Sequence, residues 1–357
     1  MENRIDRLRT RLEECGCDAF FSLAAPVNQY LAGFRGSTSA FILTPSDAFF
    51  LCDFRYVEQA RAEVRTAQVE QITGDLCVRV GERLAALGVK TAAFEPDYLT
   101  VAQLETIKTA YPGEPRAAHD LVSALRRLKT EDEIRTIEEA LRLSESVLAD
   151  ILPSLKPGVS ERETAARIEY EMKMRGAEAE AFDTIVLFGA RSSLPHGRPD
   201  ESRLAQGDIV LLDFGCRKSG YCSDLTRTQV FGSMPDAWFE EVYELVLTAQ
   251  RIAIEAARPG MTCRELDGVA RNLIAEAGYG EYFGHGLGHG LGIEIHETPR
   301  VNPQSEIVLE PGMVMTIEPG VYVPERGGVR IEDVIAVTSA GCTVLSRAPK
   351  EMTTAGG

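Results

Sequence analysis

The stretch IVLLDFGCRKSGYCSDLTRTQV, residues 209–230, decides how the rest of the chain is read. Its first run is an apolar strand in which a single carboxylate, Asp213, follows Leu211 and Leu212. An isolated buried carboxylate is costly, so Asp213 needs a partner. Asp224 follows 11 residues later, a spacing at which a hairpin lays two strands side by side and brings both carboxylates toward one space. The pattern returns further on, with Glu318 in VMTIEPGVY (314–322) and Glu332 in GVRIEDVIAV (328–337). Surface acids in an acidic protein account for one or two such positions. Four acids, each embedded in an apolar strand, require a site.

The repetition extends outward to the helices. Pro157, Gly158, Ser160, Arg162 and Glu163 recur as Pro259, Gly260, Thr262, Arg264 and Glu265, 102 residues on, each set opening an amphipathic helix with a capping box. Asp213 and Glu318 are separated by 105 residues, close to the same offset. A third box, Thr130 with Glu133, starts a helix whose Ile134, Ile137, Leu141, Leu148 and Ile151 share a face. The charged run RRLKTEDE (126–133) places a domain boundary near residue 125. Residues 1–125 open with Ile5, Leu8, Leu12 and Cys15 at helical spacing and turn to short apolar runs such as AFFSL and AFILTPSDAFFLCDF, the pattern of a small mixed α/β domain. Residues 126–357 form the second domain.

A length of 357 residues suits two domains, and 38 Lys+Arg against 54 Asp+Glu give a net charge of −16, which disfavours nucleic acid as a partner. No apolar run approaches the roughly 18 residues of a membrane span, and MENRIDRLRT carries alternating charges where a signal peptide is apolar. The expectation is a soluble, cytoplasmic chain with no membrane partner. Eight cysteines are too dilute for a disulfide framework, and Cys15 with Cys17 lacks the second pair of a zinc site.

Of five histidines, His285, His289 and His296 fall in FGHGLGHGLGIEIHE (283–297), where alternating glycines argue against a helix and permit close backbone approach. The segment matches neither HExxH nor GxGxxG, and the chain has no Gly-Lys dipeptide for a phosphate loop. Spacing alone leaves open which histidine would bind metal. Four carboxylates and one imidazole balance two divalent ions, and an oxygen-rich shell with one nitrogen suits Mn, Co, Fe or Zn. A pair of ions about 3.5–4 Å apart implies hydrolysis.

These motifs resemble the Xaa-Pro metallopeptidases of peptidase family M24, which includes prolidase, aminopeptidase P and methionine aminopeptidase. LLDFG, YCSDLTRT, HGLGHGLGIEIHE, TIEPGVY and GGVRIED stand in family order, and GFRGSTSAFI and DFRYVEQA resemble the family's smaller N-terminal domain. The resemblance implies an α+β fold: a pita-bread catalytic domain with duplicated αβ halves, preceded by a mixed α/β creatinase/prolidase-like domain. It implies Asp213, Asp224, His289, Glu318 and Glu332 as ligands of two divalent ions, manganese first, with Asp224 and Glu332 bridging. Glu318 is the implied general base. His196 in LPHGRP and His296 are implied to steady the substrate carbonyl and the tetrahedral intermediate, with His285 lining the same pocket. Arg330 is implied to support the ligands or contact substrate.

The implied activity is hydrolysis of the bond between an N-terminal residue and proline in small peptides, by a homodimer. A dipeptidase is the first reading and an aminopeptidase P acting on longer peptides the alternative. Creatinase-like relatives lack the metal set, and a binding protein of this fold loses its ligands, whereas this chain keeps all five. Leu187 and Phe188 stand where relatives carry smaller residues, with an expected narrowing of the pocket or change in the favoured residue before proline.

Overall fold

Three Ser/Thr-x-x-Glu sequences set the helical frame. In the computed structural model, which describes residues 2–233, 236–352 and 354–355, the boxes Thr130/Glu133, Ser160/Glu163 and Thr262/Glu265 all close, opening helices Glu131–Ser154, Glu161–Met174 and Cys263–Glu276. In each, the hydroxyl accepts the N3 amide and the glutamate accepts the N-cap amide, satisfying donors that a helix start otherwise leaves unpaired. The chain divides into two compact units, Met1–Arg126 and Arg127–Gly357.

The first unit is a six-stranded mixed sheet in the order Gln68–Gln71, Ala48–Cys52, Ser39–Leu43, Ala19–Ser22, Thr91–Phe94, Glu114–Ala117. Helix Leu76–Ala86 packs Val80 and Leu84 onto Phe21, Ile42 and Ala92 of that sheet. The apolar run 40–54 is the antiparallel hairpin that its turn sequence Thr-Pro-Ser-Asp encodes.

The second unit is built twice. The first half places helices Glu131–Ser154 and Glu161–Met174 against a sheet that runs Thr354–Ala355, Leu225–Phe231, Ile209–Phe214, Ile185–Phe188. The second half places helices Ala237–Ala256 and Cys263–Glu276 against Glu297–Val301, Gly288–Gly290, Val314–Ile317, Asp333–Val337, Cys342–Val344. Backbone hydrogen bonds duplicate with the offset seen in sequence: Gly158 N to Leu204 O recurs as Gly260 N to Leu309 O, and Arg162 N to Asp200 O as Arg264 N to Ser305 O. A chance recurrence of helix starts would not reproduce their partners 105 residues downstream. The halves are a structural duplication, and the acid-bearing strands occupy matching places in each.

Candidate metal centre

Asp213 is the penultimate residue of the buried strand Ile209–Phe214, whose alternate residues Leu211 and Asp213 pair with Leu187 and Ile185 on one neighbour and with Thr228 and Thr226 on the other. Asp224 immediately precedes strand Leu225–Phe231. The two acids are diagonal neighbours and not opposite one another, because residues between them fold into a small hairpin of their own, Cys216–Lys218 with Tyr221–Cys222. Glu318 follows strand Val314–Ile317 and Glu332 precedes Asp333–Val337, so the pairing Ile317 with Asp333 sets these two face to face.

The strands converge on one point. Among the described residues, Asp213, Asp224 and Glu332 form a buried cluster whose nearest carboxylate oxygens all lie within 4.8 Å of one another. His289 completes it: Nδ1 donates to Gly290 O at 3.1 Å, which leaves Nε2 as the lone-pair nitrogen, 3.3 Å from Glu318 Oε1 and 3.5 Å from Asp224 Oδ2. The glycines around it are a matter of space. A Cβ on Gly288 would stand 2.0 Å from Thr316 O, and one on Gly290 2.4 Å from Thr298 O, so strand Gly288–Gly290 fits between its neighbours only without side chains there.

Electrostatics tests whether cations belong in this cluster. Burial pushes the Asp224 carboxyl well above its ordinary range, and the neighbouring Asp213 and Glu318 push it further. Glu332 is raised for the same reasons, burial first and then Asp224. Asp213 is raised by burial against the opposing pull of Arg330. Asp213 Oδ1 and Glu332 Oε1 are buried without any hydrogen-bond partner. Orphaned carboxylate oxygens beside a lone-pair imidazole nitrogen are the donor set of divalent cations, and the residues fit that role.

Arg330 is held by four hydrogen bonds. Its guanidinium donates to Asp213 Oδ2, to Thr226 Oγ1 at 3.2 Å, to Pro195 O at 3.2 Å and to the Tyr322 hydroxyl at 2.7 Å. The Tyr322 hydroxyl also lies 2.9 Å from His285 Nε2, and His285 Nδ1 is 2.8 Å from Gly286 O. Both His285 nitrogens are therefore occupied, and burial lowers its pKa. Four of the five guanidinium N–H groups are thus paired inside the protein, so Arg330 supports Asp213 while it also lines the cleft.

Asp213, Asp224, His289 and Glu318 line a cleft of ≈ 690 Å³ whose wall includes Ile185, Pro195, His196, Ile295 and His296. The His296 ring stands edge-on to His289, centroids 4.4 Å apart, and partial burial lowers its pKa to about 4, with His289 and Arg300 adding to the shift. Arg198 and Arg300 also line the cleft and make no ion pair or hydrogen bond through their guanidiniums with described residues. Leu187 and Phe188 do not line it, which corrects the expected narrowing. Leu187 is buried with Ile185 and Leu211 beneath Gly197, and Phe188 packs against the helices of the first half.

Comparison with known proteins agrees with this architecture. Residues 135–339 match the model of metallopeptidase family M24 and residues 4–128 that of the creatinase/prolidase N-terminal domain. The chain belongs to metallopeptidase family M24. Among its M24 relatives, the Xaa-Pro dipeptidase of Pyrococcus furiosus is 40% identical over 99% of this chain and 100% of its own. The structure of an Xaa-Pro dipeptidase from Bacillus anthracis superposes with a TM-score of 0.96 at 41% identity, covering 99% of each chain. An X-Pro aminopeptidase from Thermotoga maritima gives 0.90 at 35% identity, covering 96% of this chain and 99% of its own.

Sequence reading missed five side chains of this M24 centre. Thr226 and Thr316 each lie two residues from an acid, so strand alternation alone would have put them on the same face. Tyr322, and the buried pair Lys129 with Glu297 at 3.0 Å, carry no such signal.

Proposed function

We propose that this protein is an Xaa-Pro dipeptidase whose Asp213, Asp224, His289, Glu318 and Glu332 would hold two divalent ions. The observation that carries the reading is the pair of orphaned buried oxygens, Asp213 Oδ1 and Glu332 Oε1, in a carboxylate cluster faced by the free Nε2 of His289. The ions would neutralise the acids, polarise the scissile carbonyl and acidify the attacking water.

The remaining work falls to side chains. Glu318, fixed through Oε1 by the Thr316 hydroxyl, accepts the proton of the attacking water on its other oxygen. His296 and His196, on the cleft wall, donate to the substrate carbonyl oxygen as its charge develops. His285 holds Tyr322 and through it Arg330, which keeps Asp213 in place. The carboxylate of the proline residue would be met by Arg300 and Arg198, the unpaired guanidiniums of the wall, with Arg330 lining the same cleft. A carboxylate anchor there favours dipeptides. The likeness to an X-Pro aminopeptidase supports the second reading, in which the cleft admits longer chains.

We take manganese as the resident ion because the donor set is four carboxylates and one imidazole. Eight free cysteines support a reducing, cytoplasmic setting. A homodimer remains the expected assembly, to be tested by sedimentation. The deciding experiment is hydrolysis of Ala-Pro, Ala-Pro-Ala and Ala-Ala after chelation and re-addition of Mn²⁺, Co²⁺ or Zn²⁺. Cleavage of Ala-Pro alone establishes the dipeptidase, cleavage of the tripeptide establishes the aminopeptidase, and no metal-dependent cleavage of either overturns both.

A further inference from the structure

Two buried threonines stand between obligate donors and acids of the cluster. Arg330 Nε can only donate, so the Thr226 hydroxyl oxygen accepts from it at 3.2 Å, and the one hydroxyl proton is left for Glu332 Oε2 at 2.7 Å. In the second half the backbone N–H of His289 donates to Thr316 Oγ1 at 3.0 Å, and that hydroxyl proton goes to Glu318 Oε1 at 3.0 Å. Both threonines are fully buried. In each case the direction of the chain is fixed by the donor that cannot reverse. Each carboxylate is held by one oxygen, and for Glu332 the other oxygen, Oε1, is buried without a hydrogen-bond partner.

The duplication does not explain them. The offset that carries Asp213 onto Glu318 carries Leu211 onto Thr316, and in strand register Thr226 lies across from Asp213 where Glu332 lies across from Glu318. Neither hydroxyl therefore has a hydroxyl counterpart in the other half, and each serves an acid of the second half. A buried hydroxyl costs free energy unless its hydrogen bonds are made, so its presence needs a return.

We propose that Thr226 and Thr316 are positioning residues that set the angle at which Glu332 and Glu318 present an oxygen to the metal ions. The proposal rests on the two-ion reading above. Its test is titration of the metal-free protein with Co²⁺, followed by visible absorption and calorimetry, so that substrate turnover is not the readout. Thr226→Val keeps the shape and removes the proton. It is expected to weaken Co²⁺ binding by about 10–100-fold and to alter the ligand-field bands, as loss of an outer partner of a ligand does elsewhere. Thr226→Ser retains the hydroxyl and restores most of the affinity.

Thr228→Val is the control. Thr228 lies on the same strand and face, but its hydroxyl meets only the backbone N–H and carbonyl of Arg330, so affinity should hold even where stability falls. Unchanged Co²⁺ affinity and spectrum in a folded Thr226→Val protein overturn the proposal, and so does an equal loss in Thr228→Val. Should Thr226→Val fail to fold, Thr316→Val carries the same expectation through Glu318, and unchanged affinity there overturns the proposal equally. Failure of the unsubstituted protein to bind Co²⁺ would instead overturn the two-ion reading itself.

Discussion

In the first half of the catalytic unit Asp213 lies across from Thr226, and Asp224 is displaced diagonally; in the second half the pairing of Ile317 with Asp333 sets Glu318 directly across from Glu332. The helix starts and their strand partners are nearly superimposable in pattern, down to individual backbone hydrogen bonds. The difference teaches where a duplicated scaffold is free to diverge. Backbone pairs at the periphery carry the fold and stay alike, while side chains at the seam between halves carry the chemistry and differ. The first half contributes two acids. The second contributes two acids, the imidazole of His289 and the cation of Arg330, which crosses over to hold Asp213.

Replacing one ligand from each half is the severest test of that division. Asp224→Asn and His289→Ala should each reduce metal-restored hydrolysis of Ala-Pro to background with circular dichroism unchanged. Full activity in Asp224→Asn would remove Asp224 from the ligand set and leave Asp213 as the first half's contribution.

The seam is also held by Lys129, which precedes the first helix of the first half, and Glu297, next to His296 in the second; both are buried. Lys129→Met removes the ammonium from beside a buried carboxylate and should cost about 3–5 kcal/mol in urea unfolding. The double substitution with Glu297→Gln should recover much of that loss, and failure to do so would mean Lys129 acts by packing alone.

Removal of ions probes the seam without mutation. Chelation should lower unfolding stability by about 3–4 kcal/mol relative to protein with Mn²⁺ at roughly 100–1,000 times its dissociation constant, reversibly on re-addition. Equal stability with and without ions would leave the raised carboxyl pKa values of the cluster without a purpose.

The smallest effect concerns the periphery, where the halves should behave alike. Ser160→Ala and Thr262→Ala each remove a capping-box hydroxyl and should each cost about 1 kcal/mol in thermal or urea unfolding. A markedly unequal pair would break the equivalence that the duplicated hydrogen bonds indicate.

Much of this was legible in the residues. Capping boxes are local, and strand alternation is local, so helix starts, apolar strands and the anomaly of an acid within them can all be read along the chain. Leu187 shows the limit of such reading: its size suggests a narrowed pocket, yet it lies under Gly197, out of the cleft. Arg330 shows another. The groups that hold this cation, Asp213, Pro195, Tyr322 and Thr226, each lie at least 8 positions away in the chain (Tyr322 being the nearest), so no local run of residues names them.

The sequence by itself determined the helix starts and the apolar strands with an acid inside them, because each depends on residues within a turn or a strand of one another, and the recurrence of those local patterns 102 residues on marked the duplication. Only the tertiary structure decided which oxygens are orphaned, which cation is already engaged and which threonine proton points at which carboxylate. Those properties depend on distances between strands from different halves, and such distances are fixed by the packing of the whole unit and not by any local run of residues.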